Sequence, residues 1–158
     1  MVDIQLLQTV SIAIASAGVF VAALYYILQI RHQTKLRQTD ILTRLYSKVT
    51  DRDFLEAWQR FSDFEDKEHE ASREKRSVGF FTVDNQMILK TFEEIGVLLM
   101  RKLIDINLID PLLHEQACFA WEKAKPFIED ARKTYKMPNL DAAFEYLYNE
   151  LKKREQRQ

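Results

Sequence analysis

Residues 4–30 read IQLLQTVSIAIASAGVFVAALYYILQI, without one charged side chain. Val10 to Ile30 is 21 residues, which as a helix rising ~1.5 Å per residue cover roughly 31 Å, the thickness of a bilayer's hydrocarbon core. No internal Pro interrupts the run, it stops abruptly at Arg31, and Tyr25 and Tyr26 stand near that charged end, where amphipathic rings favour the headgroup level. A cleaved signal peptide needs a basic segment ahead of its apolar core. Here only Asp3 is charged ahead of the core, and the apolar run continues well past the small-residue sites between Ala13 and Ala17. The stretch therefore reads as a transmembrane anchor rather than as a signal peptide or a helix buried in a soluble core.

The flanks give it a direction. Arg31, Lys35, Arg37, Arg44 and Lys48 follow within residues 31–50 against a single acid, Asp40, whereas the preceding flank has no Lys or Arg. Basic residues stay on the cytoplasmic side. The expected arrangement in the cell membrane is a single pass, with the N-terminus outside and residues 31–158 in the cytoplasm. Those basic residues would lie at the membrane surface, where anionic lipid attracts them. Cys118 is the one cysteine, so no intrachain disulfide forms, as suits a reducing compartment. Ser11, Ala15, Gly18 and Ala22 recur at spacings of three or four, a small-residue stripe that lets two spanning helices approach and self-associate.

Beyond the anchor the chain is long enough for one hydrophobic core. The 23 Lys and Arg are matched by 24 Asp and Glu, and residues 51–158 carry a modest acidic excess, so no nucleic-acid partner is expected. Gly and Pro number only three each, no alternating run argues for a sheet, and the fold class reads as all-α: the anchor continuing into a bundle of four to five helices. The division is a transmembrane anchor at 4–30, a basic juxtamembrane helix at 31–50 and a helical domain at 51–158.

Periodicity places the helices. Leu36, Ile41, Leu42, Leu45, Tyr46 and Val49 share one side of the juxtamembrane segment, which no Gly or Pro separates from the anchor. Thr50 or Asp51 caps the next helix, whose Phe54, Trp58 and Phe61, joined by Leu55, form an aromatic stripe of core character. Residues 63–77, DFEDKEHEASREKRS, read as a solvated charged connection. A third helix is expected over 82–103, with Ile88, Phe92, Ile95 and Leu99 on its main face. Val97, Leu98 and Met100 widen that face, so its second half should be buried on most sides. Gly96 costs that helix about 1 kcal/mol relative to Ala, unless a neighbouring helix approaches closely there, and Glu93 and Glu94 beside it need partners. Asp110-Pro111 reads as a cap followed by Pro at the first helical position. The apolar stripe Leu113, Ala117, Trp121, Ala124, Ile128, Ala131 and Tyr135 follows. Pro126 predicts a kink or break over 122–125. Met137-Pro138-Asn139 predicts a turn with Asn139 capping a last helix, whose buried face is Leu140, Phe144, Leu147, Tyr148 and Leu151 and whose basic end frays.

The stretches TDILTRLYSKVTDRDFLEAW (39–58), FEEIGVLLMRKLIDINLID (92–110), WEKAKPFIEDARK (121–133) and FEYLYNELKKRE (144–155) resemble an uncharacterised prokaryotic family of single-pass membrane proteins with a cytoplasmic all-α domain of unknown function. The resemblance implies the same architecture and brings no catalytic residues.

Tests for chemistry narrow the field. His114 and Cys118 are four apart and share a helix face, and the string His-Glu-x-x-Cys is similar to the zinc-protease motif His-Glu-x-x-His but lacks the second His. A zinc site needs three or four ligands, so neither a metal nor a cofactor is assigned. A Cys118–His114 nucleophile and base has no third orienting group, so no catalytic residue is assigned. Glu122 and Glu129, either side of Pro126, would face a shared cleft with Arg132, and Glu94 joins them as a speculative pocket. An internal ion pair is the simpler reading of those charges. No phosphate loop, dinucleotide turn or kinase set is present. The leading reading is thus an interaction or scaffold module at the membrane face, binding the lipid bilayer and a protein partner or itself, with Trp58 or Trp121 as docking patch. The alternative is a membrane-tethered enzyme or ligand-sensing domain with a polar pocket near Glu122 and Arg132.

Overall fold

The computed structural model describes residues 4–64 and 79–156, so most of the charged connection at 63–77 lies outside the described residues. The architecture is all-α, with α1 Ile4–Val49, α2 Arg52–Asp63, α3 Val83–Met100, α4 Ile106–Thr134 and α5 Ala142–Glu155. The chain falls into two units, Met1–Asp40 and Ile41–Gln158.

In the first unit, the α1 residues from Gln8 to Ile30 are exposed throughout, Val19 and Phe20 at 70% and 73%. Among the described residues α1 is the one helix long and apolar enough to cross a membrane. The hydroxyl of Ser16 donates to the Ile12 carbonyl at 2.7 Å, which satisfies it inside the helix.

The second unit has one core. Leu45 and Val49 at the end of α1 already belong to it, with Phe54, Ala57 and Phe61 of α2. The Asp51 carboxylate caps α2 by accepting from the Asp53 amide. Leu55, expected on the buried stripe, is instead 50% exposed, because Ala57 takes the inward position. Phe64 and Phe80 lie before and after residues 65–78. Their rings pack at 5.3 Å, and Phe80 stacks on Phe127 of α4 at 4.1 Å.

The central helix is α3, which packs most extensively against α5 and α2. Thr82 caps it by accepting from the Asn85 amide, and Ile88, Phe92, Ile95 and Leu99 are buried as the period requires. Its second half is not buried on most sides: Val97 and Met100 are 42% and 53% exposed, because its neighbours cover the other face. The helix ends at Met100 rather than at residue 103. The Lys102 amide donates to the Leu99 carbonyl and that of Leu103 to Leu98, with Lys102 in the left-handed region at φ 55. That is the double bond of a Schellman cap.

Two expectations for α4 are corrected. The helix starts at Ile106 rather than at Pro111, because the Asp105 carboxylate caps it from the Asn107 amide. It also runs through Pro126 without a break. Each proline deprives one carbonyl of its donor, that of Asn107 or of Glu122. Asn107, Pro111, Glu122 and Pro126 are all exposed, so each proline and the residue whose carbonyl it leaves without a donor lie on the solvent side of α4. The stripe Leu113, Ala117, Trp121, Ala124, Ile128 and Ala131 is buried, but Tyr135 is 47% exposed.

The last helix is corrected too. Asn139 does not cap α5. Asp141 holds the cap position at φ 51 without a side-chain bond to the helix. The cap comes from another helix: the Glu93 carboxylate of α3 accepts from the Phe144 amide at 2.7 Å and the Ala143 amide at 3.4 Å. One turn along α3, Gly96 lies so close that a Cβ there would overlap the Ala143 carbonyl. Gly96 thus permits the approach that Glu93 exploits, and Lys90 adds an ion pair to the buried Asp141 at 3.1 Å. The described part of the basic end is helical to Glu155 and held by side-chain contacts.

Candidate functional site

The speculative pocket residues have separate partners. Glu94 of α3 pairs with Lys48 of α1 at 2.7 Å, which joins one residue of the pocket set to one of the basic set. Glu122 accepts from the Tyr148 hydroxyl at 3.2 Å and pairs with Lys152 at 3.4 Å. Glu129 lies 3.9 Å from Lys125, one turn away on the same helix. The Arg132 guanidinium donates twice to the Leu140 carbonyl and pairs with Glu145 at 2.8 Å. Arg132 therefore holds the turn between α4 and α5 onto the end of α4, where a cation also suits the helix dipole. Of the basic set, Arg31, Lys35, Arg37 and Arg44 are exposed on α1.

The aromatic docking candidates divide. Trp121 is 2% exposed and packs on Phe144, which removes it from any surface. Trp58 is half-buried between Phe54, Phe61 and Phe92, and its ring meets the exposed Phe119 at 5.8 Å.

A different cluster lines a cleft of about 670 Å³, where Asp110, His114, Glu115 and Glu155 gather beside Pro111 and Leu112. Asp110 is its hinge. One carboxylate oxygen lies 2.7 Å from His114 Nδ1 and the other accepts from Arg154 Nε at 2.9 Å. Arg154 also donates to the Asn107 side chain at 2.8 Å, which ties the end of α5 to the start of α4. Burial opposes ionisation of Asp110, but the hydrogen bonds from His114 and Arg154 outweigh it and draw its pKa below the usual value. This fixes the orientation of the His114 ring through Nδ1.

Nucleophilic chemistry is not favoured there. Cys118 is buried, and burial pushes its thiol up, away from the reactive thiolate. Among the described residues no group of three metal-ligating side chains forms. The signal for the Asp110–His114–Arg154 cluster was partly visible, since Asp110 and His114 are four apart on one helix. Its reading as a helix cap concealed it, and Arg154 is 44 residues away in sequence.

Comparison with curated proteins and with solved structures gives no match. A family does match, over residues 12–151, from within the apolar run to the buried Leu151 of α5. The chain belongs to the family described as Domain of unknown function (DUF4760).

Proposed function

We propose that this is a single-pass protein of the cell membrane whose cytoplasmic helical unit acts as an interaction or scaffold module at the membrane face. The carrying observation is the exposure of every large apolar side chain from Val10 to Ile30, a surface far larger than a soluble monomer leaves open to water. A bilayer is the occupant that its length of roughly 31 Å fits. The basic residues after it, and none before it, support the side preceding the span lying outside and residues 31–158 lying in the cytoplasm. The well-filled core and the internally paired charges of the unit support contact rather than catalysis. Its partner is a protein or a second copy of itself, the latter through the stripe at Ser11, Ala15, Gly18 and Ala22.

Alkaline carbonate treatment of native membranes tests the anchor: the full chain is expected to stay in the pellet, and extraction without detergent would overturn the reading. A detergent pull-down of the full chain, identified by mass spectrometry, then tests the module. A specific partner, or recovery of a differently tagged copy, is expected. Recovery of the bait alone would sink the interaction reading.

A second reading, a tethered enzyme or ligand-sensing domain, is favoured by one observation, the Asp110-oriented His114 on the cleft of about 670 Å³. The pocket then lies at His114 rather than near Glu122 and Arg132. Thermal shifts of the full chain in detergent with small carboxylates, amines and divalent cations test it. A shift that His114→Ala abolishes is expected on this reading, and none across the panel would dismiss it.

A further inference from the structure

A groove of about 360 Å³ opens beside the turn between α4 and α5, within the size range of small-molecule sites. Its floor belongs to the core, since Leu89 of α3 and Ala131 of α4 are each only 1% exposed. Phe81, just before α3, and Leu140 of the turn add apolar walls. Both walls are pinned by side chains. The Gln86 amide donates to the Phe81 carbonyl at 2.9 Å, and the Arg132 guanidinium donates to the Leu140 carbonyl at 2.9 and 2.7 Å. Such bracing preforms the groove, so a ligand need not order it on binding.

Charge selects the occupant. The polar members of the lining are Lys90, Gln86 and Tyr135, and no carboxylate is among them. The clefts at Asp110, at Glu93 and Asp141, at Asp51 and Asp53 and at Glu94 all have acids in their linings. Lys90 does pair with Asp141 at 3.1 Å, but the Asp141 side chain is 1% exposed and that of Lys90 is 62% exposed. The lysine is therefore the member of the pair that a solute meets, and an ammonium has three donors, of which Asp141 takes one. The Tyr135 hydroxyl makes no hydrogen bond among the described residues, which adds a donor to the lining. A fitting ligand has an apolar body and one anionic end. With one cation in the lining, a monoanion is matched and a phosphate dianion is not.

We propose that the groove between α3, α4 and the α4–α5 turn is a binding site for a small amphipathic carboxylate, its apolar body over Leu89 and Ala131 and its anion at Lys90. The proposal concerns the second unit alone and is separate from the cleft at His114. Charge-assisted hydrogen bonds are the strong ones, so the acid is held in preference to an alcohol or an amine of the same length.

The test uses the full chain in phosphatidylcholine nanodiscs, with hexanoate, 1-hexanol and hexylamine as probes. Binding is read by saturation-transfer NMR, and empty nanodiscs correct for uptake by lipid. Saturable hexanoate binding is expected, with hexanol and hexylamine weaker by roughly tenfold or more. Lys90→Gln alone would strand the buried Asp141, so Lys90→Gln is combined with Asp141→Asn, and the pair of changes is expected to weaken hexanoate roughly tenfold. Met137→Glu places an acid on the rim at a side chain that is 53% exposed. It is expected to keep the tryptophan fluorescence of the folded unit and to weaken hexanoate roughly fivefold or more. Met100→Glu, equally exposed and outside the groove, is expected to leave binding unchanged. No hexanoate uptake beyond that of empty nanodiscs overturns the proposal. So does equal binding of the alcohol or the amine, because the carboxylate is what Lys90 is held to recognise. Hexanoate binding that survives Met137→Glu and the double variant, or that Met100→Glu weakens as much, overturns the location. A groove that serves a second copy instead would cross-link two chains through Met137→Cys in the Cys118→Ala background and take up no hexanoate, which also overturns the proposal.

Discussion

Glu93 shows how much one carboxylate can organise. It lies on α3, but the amides it serves belong to the first turn of α5, whose own cap residue, Asp141, makes no capping bond. Losing a helix cap costs about 1 kcal/mol. Glu93→Ala is expected to lower unfolding free energy by about that much, read from the denaturant midpoint in detergent; an unchanged midpoint would mean that α5 does not need it. Asp110 makes a prediction with a sign. Its pKa in the folded protein lies below the ordinary 3.8, so its contribution is fully present above that value and is lost as pH falls through the folded-state pKa. Asp110→Asn is expected to be less stable than the parent at neutral pH and to converge with it in acid. Parallel stability curves from pH 7 to pH 2 would refute that. The residue types for both roles were legible in the sequence. Glu93 was seen to need a partner, but not which one, because the amides lie 50 residues away.

Elements were legible where periodicity was strong, and their ends were not where two signals competed. The buried faces of α3 and α5 follow the helical repeat closely. Asp110-Pro111 is as good a start signal as the chain contains, yet Asp105 wins, because Ile106 and Ile109 give the extra turn apolar side chains to bury. Pro126 fails to break α4 because its orphaned carbonyl partner sits on the wet side while Trp121, Ala124 and Ile128 hold the dry side. Packing there outweighs the local cost of proline, so Pro126→Ala is expected to stabilise the unit by about 1–3 kcal/mol. A lowered melting temperature would show that the proline is required. Gly96 carries the opposite expectation. A methyl group overlapping the Ala143 backbone has no flexible side chain to displace, so Gly96→Ala is expected to cost about 1–3 kcal/mol, and an unshifted denaturation midpoint would contradict the close approach.

At the scale of the whole molecule, the two units report through different signals. Both tryptophans, Trp58 and Trp121, belong to Ile41–Gln158, so tryptophan fluorescence follows that unit alone. In detergent, denaturant is expected to remove the fluorescence signal in one transition while part of the far-ultraviolet helical signal persists, since an apolar helix in a micelle keeps its hydrogen bonds. Full loss of both signals in one coincident transition would show that the apolar helix depends on the bundle. The sequence by itself determined the all-α class, the apolar length of α1 and most buried faces, because composition and periodicity are local properties of the chain. Tertiary structure alone decided which helix caps α5, which glycine admits it, how Asp110 is used and that Trp121 is interior while Met100 is not. Each of those depends on which face meets a neighbour distant in sequence, and no local pattern encodes that.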